Sequence, residues 1–268
     1  MNYFLFINQP NNIIMKKLLI GLILVFSISL IAQRNENNDY WNSWRYTPKN
    51  EMAAEFESAV AKKMQRFNAT PETAIMTYKI ITGRNSGTYE RVESMKYPKD
   101  YDMNRSAESD YWQKNVAKYV ERSSGQMRWD RINNATLNWD PENPGTPSKY
   151  LERTTFDVKP GKVMHFRRFM ARVTKIRNMR GDKETQLMFR CISGGSANMF
   201  VMVNGWNKYQ DDRGMNNLET TFREDYNKEF GWGTFEEDYE NFGNSLESWG
   251  EMTETMELVP SLTTGMMN

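Results

Sequence analysis

Tyr78-Lys79-Ile80-Ile81-Thr82-Gly83 and Phe189-Arg190-Cys191-Ile192-Ser193-Gly194 follow one pattern. Each is a run of β-branched and aromatic residues with a basic residue second, ending in glycine. Continuing without a gap, Tyr89 falls on Phe200. Such runs favour strands, and the glycine-containing tips Gly83–Gly87 and Gly194-Gly195-Ser196 supply the positive φ that a hairpin turn needs. The spacing predicts strands over 73–82, 88–95, 185–193 and 198–203.

Upstream of each hairpin lies a helical pattern. Met52, Phe56, Ala59, Val60, Met64 and Phe67 recur at spacings of three and four, as do Val163, Phe166, Phe169, Met170, Val173 and Ile176. Each set makes one apolar stripe on a helix. Thr47-Pro48-Lys49 precedes the first helix and Lys159-Pro160-Gly161 the other. Aromatic-rich strands are expected before them, at 40–46 and 150–158. Downstream, further helices are expected over 106–120 and around Leu218, Phe222 and Tyr226, the latter interrupted by Gly231-Trp232-Gly233. Phe235, Tyr239, Phe242, Leu246 and Trp249 continue at helical spacing, and a last strand covers 253–259. Residues 121–139 read as neither element. Glu236-Glu237-Asp238 reads as a solvated helix face.

Three prolines between Asp140 and Pro147 exclude a helix or central strand there. The predicted domain plan is a signal over 1–33, a leader over 34–39, a first half over 40–140, a Pro-rich linker over 141–149 and a second half over 150–268. The order strand–helix–strand–strand–helix–strand, taken twice, is the ferredoxin-like plan, and the matched wording of the halves suggests internal duplication. The strand, Pro-containing turn, amphipathic helix and Gly-tipped hairpin resemble the dimeric α/β-barrel group. That group includes antibiotic-biosynthesis-monooxygenase-like and NIPSNAP-like domains. The resemblance implies an α+β fold whose two halves close into one intramolecular barrel, as a monomer with an internal pseudo-dimer. Its members include oxygenases, haem-handling enzymes and domains without known activity, so it does not select a function.

The N-terminus says where the chain goes. Lys16 and Lys17 are followed by an apolar run over 18–31 and by small Ala32. This is the layout of an export signal, with Met15 as its start and cleavage after Ala32 or Gln33. The run is shorter than the roughly 20 residues that span a bilayer, so no stable membrane insertion is expected after cleavage. The expected location is periplasmic or secreted. Formal net charge is +1, and −1 once Lys16 and Lys17 are removed. That balance offers no field for nucleic acid. Cys191 is the only cysteine, so no intramolecular disulfide can form.

No phosphate loop, nucleophile elbow or dinucleotide fingerprint is present. One cysteine and one histidine cannot close a zinc site, and neither metal nor cofactor is expected. Alternation places Met76, Tyr78, Ile80, Leu187, Phe189 and Cys191 toward the helices, and Thr77, Lys79, Met188 and Arg190 inside the barrel. Lys79 and Arg190 could then hold a small anionic or carbonyl-bearing ligand; the alternative is an ion pair with Glu90 or Glu93. His165 is a third candidate, against a partly exposed helix position. The functions left open are an exported ligand-binding domain, a cofactor-independent or haem-linked oxygenase, and an interaction domain docking through exposed Trp41 and Trp44.

Overall fold

The computed structural model describes residues 39–209 and 219–264. The predicted signal, most of the leader and Leu218 lie outside them. In chain order the elements are β1 Tyr40–Pro48, α1 Ala53–Phe67, β2 Met76–Ile80, β3 Tyr89–Lys96, α2 Ser106–Asn115 and β4 Val120–Arg131. Then follow β5 Tyr150–Val158, α3 Val163–Met179, β6 Thr185–Ser193, β7 Met199–Trp206, α4 Phe222–Phe230, α5 Thr234–Ser245 and β8 Leu246–Leu258. The eight strands close into one antiparallel barrel in the order β1-β3-β2-β8-β5-β7-β6-β4. The fold is α+β, and it is that of two ferredoxin-like halves sharing a single barrel.

The halves meet at two seams of the same kind. β2 pairs with β8, and β4 pairs with β6. Each half therefore closes both exposed edges of the other, which removes the edge-strand hazard of an open sheet. The hairpins also match in register: Tyr78 lies opposite Glu90, and Phe189 opposite Val201.

Alternation along the strands divides the molecule into an interior and two outer layers. Trp41, Met76, Tyr78, Ile80, Trp129, Phe189, Cys191, Val201 and Met256 pack inside the barrel. On one flank Phe56, Val60 and Met64 of α1 bury their stripe against Tyr46, Ile75 and Tyr89. On the other, Phe166, Phe169 and Met170 of α3 pack on Phe156, Met188 and Phe200. Phe242 of α5 completes that layer, its ring 4.8 Å from Phe169 and 5.7 Å from Phe166.

The face assignment made from alternation is therefore inverted. Tyr78, Ile80, Phe189 and Cys191 point inward, while Met188 faces the helices. Both faces of these strands are covered, one by the opposite barrel wall and one by a helix layer. Apolar alternation then shows that two faces exist without saying which is inside.

Three further expectations change. Residues 120–131 form a strand whose outer part is solvent-exposed; its Ser-Ser-Gly run carries no apolar alternation. The helical spacing at Leu246 and Trp249 ends at Ser245, and β8 begins there. Trp249 is 99% exposed with φ of 60°, and a Cβ on neighbouring Gly250 would lie 2.7 Å from the Asp157 carbonyl oxygen. A bulge thus replaces the last turn of the expected helix. Asp238 is not on a solvated face. It is buried and accepts from the Tyr226 hydroxyl at 2.8 Å while pairing with Arg168 and Arg172, so it ties α3, α4 and α5 together.

Candidate functional site

The barrel interior holds a cavity of about 200 Å³. Its walls follow from the inward positions of successive strands. Trp41 and Ser43 come from β1, Met76 and Tyr78 from β2, Glu90 and Val92 from β3, and Trp129 from β4. The second half adds Leu151 and Arg153, Leu187 and Phe189, Val201 and Val203, and Met256. The surface is mainly apolar, and the ring planes hold one another: Trp41 lies 4.9 Å from Phe189 and 5.9 Å from Trp139. The Trp129 indole N–H donates to Ser43 Oγ at 2.9 Å, which fixes that ring against the wall.

The residues expected to be a linker form the roof. Asn138 to Asp140 and Asn143 to Ser148 line the cavity mouth. The buried Tyr78 hydroxyl donates to the Ser148 carbonyl at 3.1 Å, and burial raises its pKa. Trp139 is held by the Arg131 guanidinium, 4.4 Å above its ring. Arg131 in turn binds both Asp39 oxygens, at 2.8 and 3.1 Å. The prolines that excluded regular structure give the roof a rigid, donor-poor backbone.

Two arginines and two glutamates make a charge cluster at the polar part of the wall. Arg45 Nε contacts Glu90 at 2.9 Å and its Nη2 contacts Glu254 at 2.6 Å. Arg153 Nε lies 3.4 Å from Glu90, and Arg153 Nη1 donates to Thr155 Oγ1 at 2.6 Å. Burial alone would raise the Glu90 carboxyl, but Arg153 and Arg45 outweigh it and hold it below the usual carboxylate range. Glu90 and Arg153 therefore present a fixed acceptor and a fixed donor at the edge of an apolar chamber.

A second cavity, of about 400 Å³, opens between the outer face of β1 and β3 and helices α1 and α2. Lys63, Arg91, Lys96 and Arg105 line it together with Glu93, Asp100 and Glu108. Lys63 pairs with Glu108 and donates to Asn68 at 2.7 Å; Arg105 pairs with Glu93. Burial, with Arg91 adding to it, brings the Lys63 ammonium down to about 8 against the pull of Glu108.

The three sequence candidates are not brought together. Lys79 points outward, its ammonium 5.3 Å from the Tyr89 ring. Arg190 also leaves the barrel, donating from Nε to the Ala197 carbonyl at 2.8 Å. Glu90 and Glu93, the acids considered as their partners, pair instead with Arg45, Arg153 and Arg105. His165 is half-buried on α3 with Nδ1 unpartnered, and it lines neither cavity. A haem held through His165 does not fit this placement. Trp41 is buried inside the barrel and Trp44 is half-buried, so neither forms an exposed docking patch. Cys191 is buried in the barrel, and burial raises its thiol pKa. Among the described residues no group of three His, Cys, Asp or Glu side chains is placed to hold a metal, and no helix is long and apolar enough to cross a membrane.

No family model and no curated protein matches this sequence. Solved structures match its fold. A presumed monooxygenase from Lactobacillus acidophilus superposes with a TM-score of 0.51 at 10% identity, over 85% of this chain and 96% of the other. A presumed monooxygenase from Fusobacterium nucleatum gives 0.54 at 11% identity, over 82% and 92%. An anthrone oxidase-like protein gives 0.50 at 9% identity, over 84% and 92%. At these identities the likeness is one of fold, and the fold is the dimeric α/β barrel.

Proposed function

We propose that this protein is an exported binding protein for a small, flat, mainly apolar molecule carried inside the barrel, with its one polar group directed at Glu90 and Arg153. The barrel cavity carries this reading. Its volume of about 200 Å³ exceeds the roughly 150 Å³ of a dry engineered cavity that takes benzene, so one or two fused rings are the right size. Its polar groups are few and fixed, as in small-molecule sites generally. The chemistry differs from the inward-cation arrangement expected from the sequence: an arginine and a glutamate that neutralise each other favour a neutral hydroxyl or carbonyl over an anion.

Titration with 1-naphthol tests this. We expect saturable quenching of tryptophan fluorescence with a micromolar Kd, lost in Leu151→Trp, which fills the chamber. A second filling variant, Val203→Phe, guards against a folding defect in the first. Absence of saturable quenching, or unchanged binding in a folded filled variant, would overturn the reading. Export rests on residues 15–33, and a mature N-terminus at Gln33 or Arg34 in protein recovered from outside the cytoplasm is the expected observation.

A second reading, oxygenation of the bound aromatic without a resident cofactor, draws on the presumed activity of two fold neighbours. Oxygen uptake with anthrone above the buffer rate, abolished in Leu151→Trp, would support it. No uptake above buffer would discard it.

A further inference from the structure

We propose that the space between the outer face of β1 and β3 and helices α1 and α2 is a second binding site, for a small organic carboxylate with an aromatic body. The cavity is lined by four cations and three carboxylates. Lys63 and Arg105 already have carboxylate partners, Glu108 and Glu93. Arg91 has none among the described residues. The residue is 3% exposed, and among the described residues its Nε has no acceptor and its Nη2 reaches only the Met64 thioether sulfur at 2.8 Å. Lys96 is likewise buried and, among the described residues, donates only to the backbone carbonyl of Glu72.

Burying a cation without a contacting counter-ion is costly, and the attraction of Glu108 and Glu93 reaches Arg91 only from beyond ion-pair distance. Burial accordingly lowers the pKa of both Arg91 and Lys96. A bound carboxylate supplies the missing partner, and its two oxygens match the planar guanidinium fork. The single surplus charge fits a monoanion better than a phosphate carrying two. The remaining lining accounts for the body of the ligand. Trp44, Tyr46 and Trp112 border the cavity, and the Arg91 guanidinium lies 5.2 Å from the Trp112 ring.

The second half shows that the fold does not require this arrangement. Extending the gapless hairpin match places Met202 at the position of Arg91. Met202 packs into the aromatic layer under α3, together with Phe166, Phe169 and Phe242. A buried arginine facing an open cavity is thus a departure made in one half only.

Benzoate, its neutral isostere benzamide and inorganic phosphate, each titrated calorimetrically into the full chain at pH 7, test the proposal. Benzoate should bind at least tenfold more tightly than benzamide or phosphate. Arg91→Met should weaken benzoate at least tenfold while keeping or raising the Tm, since it removes a buried charge that no carboxylate contacts. Lys96→Met provides a second variant, with a smaller loss of about threefold. Barrel-filling Leu151→Trp should leave benzoate affinity unchanged. Equal binding of benzoate and benzamide, phosphate binding as tightly as benzoate, full affinity in a folded Arg91→Met, or loss of benzoate binding in Leu151→Trp would each overturn it.

Discussion

Lys63 illustrates what burial does to one side chain. Its ammonium is buried on α1, and burial with the nearby Arg91 brings its pKa from 10.5 to about 8. A lysine depressed in the folded state binds fewer protons there than in the unfolded chain between those two values. Folding stability from this group therefore rises with pH across that window, by at most about 3 kcal/mol. Tyrosines oppose it higher up. Burial raises Tyr46 to about 12, so stability is lost as unfolded tyrosines ionise above pH 10. The prediction is that wild type gains roughly 2 kcal/mol on Lys63→Met between pH 7.5 and 10, read from urea unfolding at the two values. A pH-independent difference would show that Lys63 is not depressed. Nothing in the sequence singles out Lys63 or Arg91 over Lys79 and Arg190. All four sit in patterned segments, and only packing decides which lose their water.

Hairpins, helices and turns were largely legible, because each is specified by contacts within about a dozen residues. β6 and β5 appear where alternation puts them, and α1 and α3 bury the stripes that their spacing marks. β4 was not legible, since its exposed half carries no period, and its pairing with β1 and β6 lies far away in sequence. The turn between β6 and β7 tests how tightly these elements are joined. Gly194 has φ of +82°, and a Cβ there would stand 2.2 Å from the Gln126 carbonyl oxygen on β4. Gly194→Ala should destabilise the protein by roughly 2–4 kcal/mol through backbone strain and the clash. Exposed Ser193→Ala next to it should stay within about 0.5 kcal/mol. Equal, small effects in urea denaturation would mean that the β4–β6 seam yields freely.

At the scale of the whole molecule, the two seams join the halves through hydrogen-bonded strand pairs. The apolar interior of the barrel would be exposed if β2 left β8 and β4 left β6. Unfolding followed by tryptophan fluorescence and by far-ultraviolet circular dichroism should therefore give coincident urea transitions. Five of the eight tryptophans precede residue 140, so separate transitions would reveal independent halves. The amino-acid sequence alone determined the order of elements, the equivalence of the two hairpins and the ferredoxin-like plan, because these rest on local periodicity and turn chemistry. Only the tertiary structure decided which face of each strand became the interior, that the proline-rich segment roofs the barrel, and that Glu90 meets Arg153 while Arg91 meets no carboxylate among the described residues. Periodicity establishes that a strand has two faces. Which of them encloses a cavity, and which charges meet there, depends on pairings between segments distant in the chain.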